Sequence, residues 1–227
     1  MRALPGKASR QPPGPEPVSR AASAEDQRRR ILEATGDLIA EQGYAETTIE
    51  QIVRRARVGY ATFYKHYADK QEAFLALLDA ALERTAYVVE EAFDGEAGPW
   101  PDKVGAGLGA LLKLASEHPG VARACLVEAP TAGPEAAARH EAMLKRFAPL
   151  LRPGRELNPR ADKLPESLEE TLAGGVLWVI NQRLLAGEAE GLRALLPEAL
   201  EFLLRPYVGE DAAAREAGGT SHQATSA

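Results

Sequence analysis

From about residue 24 to residue 208 the apolar positions repeat with helical spacing, and no stretch alternates in the manner of a half-buried strand. Ile31, Leu32, Thr35, Leu38 and Ile39 form one stripe and predict a helix from Ala24 to Gln42, with Gly43 placed to stop it. Thr47-Thr48-Ile49-Glu50 reads as a capping box in which Thr47 and Glu50 satisfy each other's amides. The short helix it opens buries Ile49, Ile52, Val53 and Ala56. After the tight turn Arg57-Val58-Gly59, a third helix from Tyr60 to Tyr67 sets Phe63, Tyr64 and Tyr67 at i, i+1 and i+4. Asp69 to Glu72 is a second capping box, and it opens a long helix with Phe74, Leu77, Leu78, Ala81 and Leu82 inward.

Beyond it the pattern predicts a larger helical domain. Val104, Leu108, Leu111, Leu112 and Ala115 mark a helix ending before Pro119, followed by helices over Val121 to Glu128 and Pro134 to Leu151. Three prolines and many charges make Arg152 to Pro165 a mobile loop. Two long helices, Glu166 to Leu185 and Gly191 to Tyr207, finish the fold. Five prolines in residues 1–23 and the Ala/Gly/Ser/Thr-rich run from Gly209 read as disordered termini. The expected organisation is therefore an arm (1–23), a head (24–68), a helical body (69–208) and a tail (209–227). The fold class is all-α.

Composition narrows the class. Apolar residues are 45%, charged residues 26% and aromatics only 6%, in keeping with a globular, helix-rich chain. The longest apolar run, Leu172 to Ile180, is far short of the ~20 residues of a membrane helix, so no membrane partner is expected. The N-terminus has no apolar signal segment, and the single cysteine, Cys125, excludes an internal disulfide framework, which points to the cytoplasm. Charge is unevenly spread. Residues 1–24 carry four basic and one acidic side chain, residues 25–70 eight of each, and residues 71–227 fifteen basic and 24 acidic. Within the neutral head, Gln51 to Ala68 holds Arg54, Arg55, Arg57 and Lys65 and no acid, a local basic stripe on an acidic molecule.

Thr48 to Tyr67 has the length and layout of a DNA-binding helix-turn-helix, whose second helix enters the major groove. Phe63 can anchor that helix while Tyr60, Thr62 and Lys65 project from it. Tyr64, Lys65 and His66 suit phosphate oxygens, and Lys70 opens a helix whose N-terminus attracts phosphate. A three-helix bundle with a polar face, or a module binding an acidic protein, would look alike at this level. A small all-α enzyme is the third reading, but it lacks a constellation: the four histidines are scattered, no nucleophile elbow or P-loop occurs, and no metal or cofactor site is expected. The run Gly105 to Gly109 is spelled like a dinucleotide loop, but no strand precedes it.

The segments Ile31-Leu32-Glu33-Ala34, Gly43-Tyr44, Thr47-Thr48-Ile49, Ile52, Ala56, Val58 to Tyr67 and Asp69-Lys70 closely resemble the N-terminal domain of the tetracycline-repressor (TetR/AcrR) family. The resemblance implies a homodimeric regulator of double-stranded DNA. Three short helices would bind DNA, a fourth would lead to a variable domain for a small-molecule effector, and two C-terminal helices would dimerise. By position it puts DNA contacts on Thr48, Gly59, Tyr60, Ala61, Thr62, Tyr64, Lys65, His66 and Lys70, with Tyr64 and Lys65 on the backbone and Tyr60, Ala61 and Thr62 at the bases. Two positions depart from the family pattern: Arg57 stands where the turn usually has glycine, and Gly59 where the third helix often opens with serine. Repression released by the effector is the family default.

The body carries no recognisable ligand motif. Tyr87, Trp100, Cys125, Trp178, Asn181 and Gln182 are candidate pocket residues by type alone. Glu166 to Leu185 is apolar nearly all round, with Leu168, Leu172, Gly175, Trp178 and Val179 on one side and Val176, Leu177, Ile180 and Leu184 on the other. One side would face its own domain and the other a partner subunit, forming a four-helix bundle with Leu195, Leu196, Ala199 and Leu203; a purely internal core fits the same pattern.

Overall fold

The first apolar stripe becomes α1 (Arg20–Glu46) in the computed structural model, which describes residues 20–223. Ile31, Leu32, Ala34, Leu38 and Ile39 are buried along it, and Gly43, at φ 85°, breaks it where the sequence places its stop. The helix begins at Arg20, inside the span read as a disordered arm; residues 1–19 lie outside the described part. Helices α2 (Ile49–Ala56), α3 (Tyr60–His66) and α4 (Lys70–Gly95) follow.

The first capping box sits one residue later than its spelling suggests. Thr47 is buried and donates its hydroxyl to the Gly43 carbonyl at 2.8 Å, closing the turn after α1. Thr48 is the N-cap instead: its Oγ1 accepts the Gln51 amide at 3.3 Å, and Gln51 Oε1 accepts the Thr48 amide at 2.8 Å. The second is a half-formed box: Asp69 accepts the Glu72 amide at 2.8 Å as expected, but the Glu72 carboxylate reaches back to the Ala68 amide rather than to that of Asp69. The four helices close one core around Ile31, Ile39, Ile52, Phe63 and Phe74.

Helix α4 continues into a second core shared by α5 (Trp100–Glu117), α8 (Leu168–Leu185) and α9 (Leu196–Val208), centred on Leu112, Ile180, Leu200 and Leu204. Between α5 and α8 run α6 (Pro119–Arg123), a π-helical turn (Ala124–Glu128), a 3-10 turn (Ala129–Thr131) and α7 (Pro134–Phe147). The expected helix to Leu151 ends at Phe147, and 3-10 structure carries on over Ala148–Leu157; Pro149 and Pro153 lack the amides an α-helix needs. No strand occurs among the described residues.

Two expectations fail for tertiary reasons. The loop read as mobile is pinned. Arg155 donates to the Glu169 carboxylate at 2.7 and 3.0 Å and to the Pro165 carbonyl, and Asn158 donates to the Pro206 carbonyl at 2.7 Å. Gly154 lies against the Trp100 ring with no room for a Cβ. The tail read as disordered contains α10 (Glu210–Gln223), whose Ala213 and Ala217 are buried. Its alanines, counted as low-complexity composition, are the best helix formers, and two of them at i and i+4 make one packed face.

Candidate nucleic-acid interface

Helix α3 is amphipathic over seven residues. Phe63 and Tyr67 are buried on the core side, whereas Tyr60 and Tyr64 are 50% and 55% exposed on the other, beside exposed Ala61 and Lys65. Thr62 and His66 are half-buried; His66 Nε2 lies 3.4 Å from Gln27 Oε1, which ties that ring to α1. Thr48 is exposed, with its hydroxyl in the α2 cap, and Gly59 is the α3 N-cap in extended conformation.

The turn between α2 and α3 accommodates the first departure from the family pattern. Arg57 adopts the left-handed conformation (φ 53°, ψ 47°). Its amide reaches the Arg54 carbonyl at 3.3 Å, and the Val58 amide reaches that of Val53 at 3.0 Å, the paired bonds of a Schellman cap. Arg30 from α1 donates to the Ala56 carbonyl at 3.2 Å and so satisfies the end of the same helix.

The basic stripe is thinner in space than in sequence. Arg55 is clamped by both Glu41 oxygens at 2.8 and 2.7 Å. Arg54, Arg57 and Lys65 are exposed and make no ion pair among the described residues. Lys70 is not free either. Its ammonium donates to the Tyr44 and Ala45 carbonyls at 2.9 and 3.3 Å and sits 4.3 Å from the Tyr44 ring centre. Burial pulls its pKa below the usual lysine value.

The six candidate pocket residues do not converge. Tyr87, Trp178 and Gln182 are on the surface. Trp100 is structural, its indole donating to the Leu150 carbonyl at 3.0 Å and its ring edge-on to Tyr207 at 5.2 Å. Asn181 donates to the Leu126 carbonyl at 2.8 Å. Cys125 lines a cleft of about 470 Å³ walled by Leu77, Ala81, Leu111, Val121, Met143 and Ile180, with Arg84, Thr85 and His118 as its polar members, while Trp178 lines a separate groove of about 290 Å³. Burial pushes the Cys125 thiol up to about 12, which makes it a poor nucleophile while the wall around it stays closed. The cleft residues come from five helices and the π turn, so no local pattern could have gathered them. Leu184, Leu195 and Leu203, expected at a subunit seam, are buried in the protomer's own core instead.

This geometry defines a helix-turn-helix head carried on a helical body. Residues 31–77 match the family model of bacterial regulatory proteins of the tetR family. It is 32% identical over 75 residues to the transcriptional regulator HbdR of Aromatoleum sp. (strain CIB), a stretch covering 33% of each chain. It is 38% identical over 58 residues to SrpR of Pseudomonas putida, covering 26% of this chain and 27% of that one. The matched stretch thus spans about a third or less of these relatives. They and the family are transcriptional regulators rather than enzymes.

The whole fold is shared more widely. FadR from Bacillus halodurans superposes with a TM-score of 0.70 at 19% identity, covering 78% of this chain and 94% of that one. FadR from Bacillus subtilis, solved with stearoyl-CoA, gives 0.65 at 18% identity, covering 78% and 97%. Among the described residues no helix is long and apolar enough to cross a membrane.

Proposed function

We propose that the protein is a homodimeric regulator that binds a palindromic operator and is released from it by a small, largely apolar effector, most simply as a repressor. The observation that carries this reading is the outer face of α3. Tyr60, Ala61, Tyr64 and Lys65 stand exposed on a helix anchored by fully buried Phe63, with unpaired Arg54 and Arg57 beside it. Aromatic hydroxyls and free cations on a rigid helix suit phosphate contact and base-edge reading in one groove. Tyr64, Lys65, Arg54 and Arg57 would hold the backbone, and Tyr60, Ala61 and Thr62 would face the bases.

One such helix reads too few bases for strong selectivity, whereas a two-fold dimer reads two half-sites about 34–36 Å apart. The partner surface is the outer side of α8 and α9, where Trp178 and Phe202 are 63% and 47% exposed around a groove of about 290 Å³ lined by Gly175, Val179 and Ala199, and Leu185 at the end of α8 is 51% exposed. A second copy of the same face would cover these side chains and form the four-helix seam.

The effector's place is the 470 Å³ cleft, which has the size and apolar lining of a ligand site. It lies along α4, the helix joining head to body, so an occupant there bears on the position of the head. Exposed Arg84 and His118 suit an anionic end on an otherwise apolar molecule, in keeping with the stearoyl-CoA held by the Bacillus subtilis FadR of the same fold.

Selection of bound duplexes from a random pool tests the reading. A two-fold symmetric motif, bound with an affinity that falls steeply with salt, is expected. Absence of salt-dependent duplex binding would leave the runner-up, a module whose basic stripe docks an acidic protein. Tyr60→Ala and Thr62→Ala should each alter preference at one position per half-site, worth about 1–3 kcal/mol.

A further inference from the structure

The segment Pro119 to Glu128, made of α6 and the π turn that continues it, has two faces with different neighbours. Gly120, Ala124 and Glu128, four residues apart, face the head. A Cβ on Gly120 would stand only 2.8 Å from the Cβ of Ala40 in α1, Ala124 is fully buried in the head core, and Glu128 accepts the Tyr44 amide at 3.0 Å. Val121, Ala122, Cys125 and Leu126 line the cleft, with Val121 also reaching α1 beside Gly36 and Cys125 packing against both cores. One short segment is therefore both cleft wall and head support.

The rest of the geometry ties these two faces together. The body grips the π turn through its own carbonyls: His140 Nδ1 lies 3.1 Å from the Cys125 oxygen, and Asn181 donates to the Leu126 oxygen at 2.8 Å. Glu128 is held by Arg123 at 3.7 Å. On the head side, Tyr44 is grasped at both ends of its backbone, the amide by Glu128 and the carbonyl by Lys70 of α4. Tyr44 belongs to the turn that fixes the start of α2: its carbonyl accepts the Thr47 amide at 3.3 Å, and Thr47 in turn bonds Gly43. π turns are rare and frequently occur at functional sites. A displacement at Cys125 or Leu126 thus reaches the α1–α2 turn through the Glu128 carboxylate, the side chain that bonds the Tyr44 amide directly.

We infer that Glu128 is a positioning residue for DNA binding, transmitting the state of the cleft wall to the helix-turn-helix through the Tyr44 amide. The inference rests on the reading of the chain as a DNA-binding regulator. Coupling between two sites is reciprocal, so DNA on the head must act on the cleft wall as strongly as an occupant of the cleft acts on the head. This allows a test without knowledge of the effector.

Cys125 is the chain's one cysteine and stands in the cleft wall, so its alkylation reports opening of that wall. The full-length protein would be labelled with iodoacetamide, with and without a duplex taken from the selection. Bound duplex should slow labelling of the wild type by about fivefold or more, the low end of usual coupling. Glu128→Gln, whose amide oxygen accepts the same N–H, should keep that response. Glu128→Ala should lose it while retaining wild-type helicity. Hydrogen exchange at the Tyr44 amide of the wild type gives a second readout that needs no variant, and duplex should slow it. Equal labelling and equal Tyr44 exchange with and without bound duplex would overturn the inference, as would an undiminished response in Glu128→Ala. Failure of every duplex to bind the wild type would instead overturn the DNA-binding reading itself, and this assignment with it.

Discussion

The Lys70 ammonium lies 2.9 Å from the Tyr44 carbonyl and 4.3 Å from the centre of the same residue's ring. One cation thereby caps the turn after α1 and covers the aromatic ring that stacks on Phe74 at 4.7 Å. A lysine held this way is a bolt within the head before it is a phosphate contact. Lys70→Ala should cost the head about 1–2 kcal/mol in urea unfolding, from a charge-assisted bond and a partly desolvated cation–π contact. Lys65→Ala should leave stability unchanged and lower the salt slope of DNA binding by about one unit per half-site. Equal slopes for Lys65→Ala and wild type, or a full slope loss with no stability change in Lys70→Ala, would reverse the two roles.

Arg57 occupies a left-handed position that glycine takes without steric cost. Arg57→Gly should therefore raise unfolding free energy by about 1 kcal/mol, the strain removed exceeding the added freedom of the unfolded chain. The same change removes a free cation three residues before the start of α3, so the salt slope of DNA binding should fall. A stabilised variant with an unchanged slope would make Arg57 irrelevant to DNA.

The subunit seam can be probed where the structure leaves apolar surface open. Trp178→Glu or Phe202→Glu should give monomers at micromolar concentration by sedimentation, with helicity intact and operator binding lost. Leu184→Glu is a different experiment. Leu184 is buried in the protomer core, and a carboxylate there should cost more than about 3 kcal/mol and unfold the body. Dimers persisting in both surface variants would move the seam elsewhere.

Glu169 sits almost wholly buried between Arg155 and the Tyr207 hydroxyl, 3.1 Å away. Burial alone would raise its pKa, but the Arg155 bonds, with help from backbone and Tyr207, outweigh it and hold the carboxyl below its ordinary value. A depressed carboxyl contributes stability that is present above its unfolded pKa of about 4.3 and is lost as pH falls through the lower folded value. Wild-type melting temperature should drop more steeply below about pH 4 than that of Glu169→Gln. At neutral pH that variant should be less stable by about 3 kcal/mol, because Arg155 loses its partner in a largely buried pair. Parallel acid profiles would assign the acid sensitivity to other groups.

Much of the head could be read directly. The stripes through Ile31 and Ile52, the stop at Gly43, the Asp69 cap and the anchoring of α3 by Phe63 are all local periodicity and local hydrogen bonding, which residues a few positions apart dictate. The choice of Thr48 over Thr47 as cap escaped because both spell the same box; burial of Thr47 against the Gly43 carbonyl decided between them. The exposed face of α3 was legible for the same reason as its buried face. The involvement of Lys70 with Tyr44 and of His66 with Gln27 was not, since these partners lie 26 and 39 residues apart in the chain.

The body shows the limit more sharply. Sequence alone established that α8 is apolar on all sides, but only its packing against Leu112, Leu200 and Leu204 turned Leu184 inward and left Trp178 facing out. Proline and charge made 152–165 look loose, yet one arginine meeting one buried glutamate, with Asn158 on the Pro206 carbonyl, fixes it. The cleft and its link to the head belong wholly to tertiary structure. Helical periodicity says which side of a helix avoids water, because that depends on neighbours three and four residues away. Which other helix covers that side, and whether a gap remains between them, depends on contacts across the whole chain, and there the pattern of single residues carries no address.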